Sequence, residues 1–181
     1  MRIAALVAVS LLAITPLFAQ VDQTLVTFEG AIGVEPISSA PGTTLIAASV
    51  IRNIVRGVQP GAQPWRIADF TAEVTADGHI TAHGHGLVFA GGDTVGTALV
   101  LTPTGGTADL SVFATLICEN IAPFIERNSN PVPLAANGDF KIDAVLSPPP
   151  PSSCTTPVLL IRNEANRNWF AAGIQKLDAA H

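Results

Sequence analysis

Residues 65–89 alternate apolar and polar side chains on both sides of Ala76-Asp77-Gly78. No other feature of the chain constrains its fold as much. Phe70, Ala72 and Val74 alternate with Asp69, Thr71 and Glu73; Ile80, Ala82, Gly84 and Val88 alternate with Thr81, His83, His85 and Leu87. A period of two sorts residues onto the two faces of a strand, whereas a helix needs a period near 3.6. A three-residue loop ending in Gly suits a type I turn followed by a left-handed residue. That loop length fixes a register: Thr75 opposite His79, Val74 opposite Ile80, Glu73 opposite Thr81, Thr71 opposite His83, and Asp69 opposite His85. A two-residue loop would set apolar residues against polar ones.

The same grammar returns over residues 131–146, where Ala136-Asn137-Gly138 marks a second turn. A hairpin there places Val132 and Leu134 on one face with Phe140, Ile142, Ala144 and Leu146. Asp139, Lys141 and Asp143 face the other way. Pro131 and Pro133 confine the first of these strands to a sheet edge, or shorten it. Further strands are expected at 24–28, 110–118, 157–162 and 169–174, with a weaker candidate at 98–101. Residues 45–55 read both ways. Ile46, Val50 and Ile54 fit helical spacing, while the Val and Ile content favours a strand.

Residues 59–64 and 91–106 read as loops, 121–130 as a surface excursion, and 148–151 as a stiff polyproline connector. The 15 Gly and 14 Pro count against a helical bundle. About eight short strands with turn residues between them predict an all-β chain. Its expected form is an antiparallel β-sandwich, immunoglobulin-like in general architecture, with one disulfide.

The N-terminus has the layout of an export signal. Met1-Arg2 is positive, 3–14 is an uncharged apolar run, and Ala19 is a small residue before Gln20. The run is too short to span a membrane comfortably. The expected organisation is a signal peptide over 1–19 and a single domain over 20–181. The destination is the periplasm, the cell surface or the medium, with no membrane span after signal removal. Cys118 and Cys154 are the two cysteines, and two cysteines in an exported chain point to a disulfide.

The net charge is −5, and no basic run is present. A phosphate-tracking nucleic-acid surface therefore has no electrostatic support. The sequence shows no Gly-x-Ser-x-Gly elbow and no Gly-rich phosphate loop between a strand and a helix.

One constellation carries chemistry. His83 and His85 are two apart and share a strand face. The register sets Asp69 across from His85 and brings Glu73 close by. Two imidazoles and a carboxylate are a minimal set for Zn or Cu. His-x-His alone is a weak signal, and the same face is better read as a solvated polar one. Trp65 and Trp169 are candidates for aromatic contact with a sugar.

Several short motifs resemble a loose group of small exported bacterial β-rich proteins: Arg56-Gly57-Val58, Pro64-Trp65, Ala76-Asp77-Gly78, Gly86-Leu87-Val88, Cys118, Cys154 and Trp169-Phe170-Ala171. The likeness covers residues 50–174. It implies an exported β-rich domain, and neither an activity nor site residues. Together these features predict an exported, non-enzymatic binding, adhesion or structural module, its partner a glycan or a cell-surface protein. The alternatives are a metal-binding protein built on the His-x-His pair, and a small hydrolase.

Overall fold

The computed structural model describes residues 23–35, 37–39, 50–91 and 110–177. The export signal, the candidate strand at 98–101 and most of the 91–106 loop lie outside them. All thirteen elements among the described residues are strands. They are β1 (Thr24–Gly33), β2 (Ile37–Ser39), β3 (Val50–Arg52), β4 (Trp65–Arg66), β5 (Asp69–Thr75), β6 (His79–His85) and β7 (Val88–Phe89). Then follow β8 (Ser111–Ile117), β9 (Arg127–Asn128), β10 (Val132–Pro133), β11 (Phe140–Val145), β12 (Val158–Asn163) and β13 (Trp169–Gln175). Of the ambiguous 45–55 stretch, 50–52 is strand and 45–49 lies outside the described residues.

Nine strands form one antiparallel sheet in the order β10-β8-β12-β13-β1-β5-β6-β11, with β9 also paired to β8. The sheet curls as a half-barrel around its core. Two further small sheets are β2-β3 and β4-β7. The pairings do not show two facing sheets or an immunoglobulin-like strand order.

The β5–β6 hairpin forms in the register expected, with Asp69 opposite His85, Thr71 opposite His83, Glu73 opposite Thr81 and Val74 opposite Ile80. Phe70, Ala72, Val74, Ile80 and Ala82 point into the core. Gly78 takes the left-handed conformation that the three-residue loop requires (φ 91°). Leu87 breaks the expected alternation. Gly86 has φ 66°, which ends β6 and turns Leu87 inward, where it is fully buried.

The second hairpin closes but does not zip. Gly138 is left-handed (φ 85°), and the Ala135 N–H donates to the Asp139 carbonyl. Beyond that pair β10 turns to β8 and β11 turns to β6. The expected β10–β11 ladder is therefore replaced by two non-local ones. The 121–130 stretch also differs from expectation, because it contains β9, and Arg127 and Ser129 within it are buried.

Cys118 and Cys154 form a disulfide that ties the end of β8 to the segment leading into β12. Among the described residues no helix is long and apolar enough to cross a membrane. A disulfide fits an oxidising destination.

Candidate functional site

The two halves of the sheet have different outer faces. Along β8 and β12 nearly every side chain is buried, odd and even positions alike. The chain itself covers that outer side. Arg56 donates to the carbonyls of Ile117 and Glu119. Glu126 binds Arg162 at 2.7 Å and Arg167 at 3.3 Å, and both guanidinium groups lie over the Phe113 ring, at 5.3 and 4.9 Å. Burial alone would raise the Glu126 pKa, but these two cations outweigh it and hold the carboxyl ionised.

Across β5, β6 and β11 the outer face is open and polar. The pairings define two rows that cross four strands. One is Glu29, Thr71, His83 and Lys141. The other is Thr27, Glu73, Thr81 and Asp143. Residues directly opposite in antiparallel strands share a face, so eight polar side chains form one grid. An open depression of about 510 Å³ lies on it, lined by Thr27, Glu29, Thr71, Glu73, Thr81, His83 and Lys176 together with Phe28 and Ala72.

Most carboxylates of this face have a hydrogen-bond or ion-pair partner within the protein. Lys176 Nζ sits 2.8 Å from Glu29 and holds that carboxyl below its ordinary pKa. The Thr24 hydroxyl donates to Glu73. His79 Nε2 lies 2.8 Å from Asp143. Asp139 accepts from the Gly86 N–H at 3.1 Å and lies 3.4 Å from His85 Nδ1. The Gly86 bond, with smaller contributions from Asn137 and His85, lowers its pKa.

The residues of the metal reading fall as follows. His83 and His85 share the outer face, and Asp69 and Glu73 lie on it too. They do not converge. Asp69 accepts from the backbone N–H of Phe70 at 2.9 Å, Glu73 is taken by Thr24, and His85 turns to Asp139. Among the described residues no group of three or more His, Cys, Asp and Glu is placed to hold a metal ion. The Zn or Cu reading thus finds no third ligand there.

The aromatic platform is corrected by burial. Trp65 and Trp169 are each only 4% exposed. Trp65 stacks on Phe170 at 3.9 Å and tilts against Phe89 at 4.4 Å. Trp169 Nε1 donates to the Asn53 carbonyl. Both rings are core residues and offer no face to a sugar.

Sequence reasoning placed Thr71, Glu73, Thr81 and His83 on this face. It missed Thr27, Glu29 and Lys176, which β1 and β13 deliver through non-local pairing. It also missed Asp139 and Asp143 as histidine partners. Their outward alternation on β11 was visible, but nothing local linked β11 to β6.

Comparison with known proteins finds no matching family model, no curated protein and no solved structure of significant similarity.

Proposed function

We propose that this chain is an exported, disulfide-stapled binding or adhesion module that meets its partner on the outer face of β1, β5, β6 and β11. One observation carries the reading. The chain covers the outer side of β8 and β12 with its own residues, while the four-strand grid keeps an open depression of about 510 Å³. A sheet with one solvated face needs only polar residues there. A concavity lined by several hydroxyls, two carboxylates, an imidazole and an ammonium is also a docking surface, and such surfaces concentrate convergent polar groups. Export is supported by the N-terminal layout of the sequence and by the Cys118–Cys154 bond.

The test is retention of the full chain on envelope material from the cells that make it. Thr71→Arg places a long cation on the floor of the depression from an exposed strand position. Ala136→Arg adds the same group at an exposed site outside the strands. Loss of retention in Thr71→Arg alone supports the docking face. Equal behaviour of the two variants overturns it.

A further inference from the structure

We propose that the loop between β8 and β9 is an apolar tip that rests on the surface of an anionic phospholipid bilayer without spanning it. The tip is a second surface, independent of the grid on β1, β5, β6 and β11. From Asn120 to Ile125 the loop carries no charged side chain. Ile121, Ala122, Pro123 and Ile125 are all exposed, Ile121 to 75% and Ile125 to 45%. Apolar side chains held in water gain by entering the boundary between headgroups and acyl chains.

The base of the loop is fixed. Glu119 accepts from the Ile125 N–H at 3.2 Å and from Arg127 at 2.8 Å, and Arg127 donates to the Ile125 carbonyl at 3.0 Å. These bonds close the loop across its ends, so capture of the tip costs little conformational freedom. Pro123 also removes one backbone N–H that lipid could not satisfy.

Charge selects the occupant. The sequence has no basic run, yet the fold gathers four arginines around this base. Arg56 donates to the Ile117 and Glu119 carbonyls, and its turn lies beside Phe124. Arg127 pairs with Glu119, while Arg162 and Arg167 share Glu126. With Glu164 of the Arg167 turn counted, four guanidinium groups stand against three carboxylates. Arg56 and Arg167 are also the two non-glycine residues, among the described ones, with left-handed backbone, at φ 47° and 60°. Such strain is kept where the side chain it places is needed. The outer face of β5, β6 and β11 has the opposite balance, with Asp69, Glu73, Asp139 and Asp143 against Lys141. An anionic surface therefore attracts the arginine side and repels the acidic one. Guanidinium forks suit lipid phosphates, and peripheral anchoring takes an apolar and a basic signal together.

The experiment is flotation of the chain, purified as its cells process it, with vesicles of phosphatidylcholine alone or of equimolar phosphatidylcholine and phosphatidylglycerol. Binding to the anionic vesicles is expected to be about tenfold tighter or more, and to weaken with salt. Ile121→Ser/Ile125→Ser, at exposed positions, is expected to lose about tenfold. Ile121→Trp is expected to bind at least as tightly, with its emission quenched by brominated acyl chains. Equal binding to both vesicles, no flotation with either, flotation unchanged in the double serine variant, or Ile121→Trp emission untouched by brominated lipid overturns the proposal. No flotation of the parent, with the serine variant losing retention on lipid-free envelope protein, assigns the tip to a protein partner instead. Thr71→Arg, scored on envelope material stripped of lipid, reads the docking face apart from the tip.

Discussion

The backbone N–H of Ala135 donates to the carbonyl of Asp139 at 2.9 Å, and with that bond the pairing between the two ends of the sheet stops. The reason lies in two residues. Leu134 sends its N–H to Leu110 on the β8 side. In an extended strand positions 131, 133 and 135 must then point toward β11. Two of those three are proline, which has no N–H to give. Asn128 and Ser147 exchange a pair of bonds at 2.9 Å, so the ends meet again further along. Between these two points the seam is unzipped.

Hydrogen exchange reads this seam directly. Leu146 donates to Gly78, so the even-numbered amides of β11 face β6 and the odd-numbered ones face the seam. Ile142 and Ala144 are expected to exchange at least tenfold more slowly than Lys141 and Asp143. Equal protection along the strand would show that β11 is paired on both edges.

Gly138 and Gly57 separate backbone strain from steric conflict. Both have φ 85°. A Cβ on Gly138 would sit 2.5 Å from the Leu87 nitrogen, whereas on Gly57 the nearest atom is a Phe124 ring carbon at 3.9 Å. Gly138→Ala is expected to cost about 2–4 kcal/mol, from strain plus the clash with fixed backbone. Gly57→Ala carries the strain alone, about 1–2 kcal/mol. Urea unfolding of the two variants checks the order. A larger loss at Gly57 would contradict the close approach of the Gly138 turn to Leu87.

The disulfide joins residues 36 apart in sequence. Loop closure of that length is worth roughly 3–4 kcal/mol through the unfolded chain. Cys118→Ala/Cys154→Ala should lose about that much, less any strain the bond imposes. Mass spectrometry of the unreduced protein is expected to find no alkylatable thiol. Two free thiols would contradict the pairing.

Glu119 gives the chain an acid-sensitive contact. Hydrogen bonding from Arg127, a buried guanidinium at 2.8 Å, holds this carboxyl at about 2. A carboxyl with a lowered folded-state pKa stabilises the fold above the ordinary range near 4.5, and that gain drains away as pH falls toward 2. Glu119→Gln is expected to lose about 1–2 kcal/mol at pH 7, after allowance for solvent screening. The gap to the parent chain should close between pH 4.5 and 2. A gap that stays constant over that range would show that the charge on Glu119 is not what stabilises the contact.

The legible and illegible parts of this fold divide by sequence distance. The β5–β6 register was readable because a three-residue turn and a two-residue period act within one hairpin. The same signals around Gly138 produced the turn but not the ladder. Pro131 and Pro133 withhold the rungs, and the backbone edges of β6 and β8 take the two strands instead. Burial of Trp65 and Trp169 was equally out of reach, since their partners Phe170 and Asn53 are remote in sequence. Half of the candidate site was visible as the polar positions of one hairpin. The other half, Thr27, Glu29 and Lys176, arrives through strands whose neighbours no local pattern names.

The most direct test of the outer face as the docking surface is amide chemical-shift mapping of the full chain during titration with solubilised envelope material from the cells that make it. Saturable shifts are expected at Thr27, Thr71, Glu73, Thr81 and His83, fading toward β8 and β12. Shifts centred instead on the β2–β3 hairpin or on the arginine-covered face of β8, with the Thr71 and His83 amides unmoved, would contradict it.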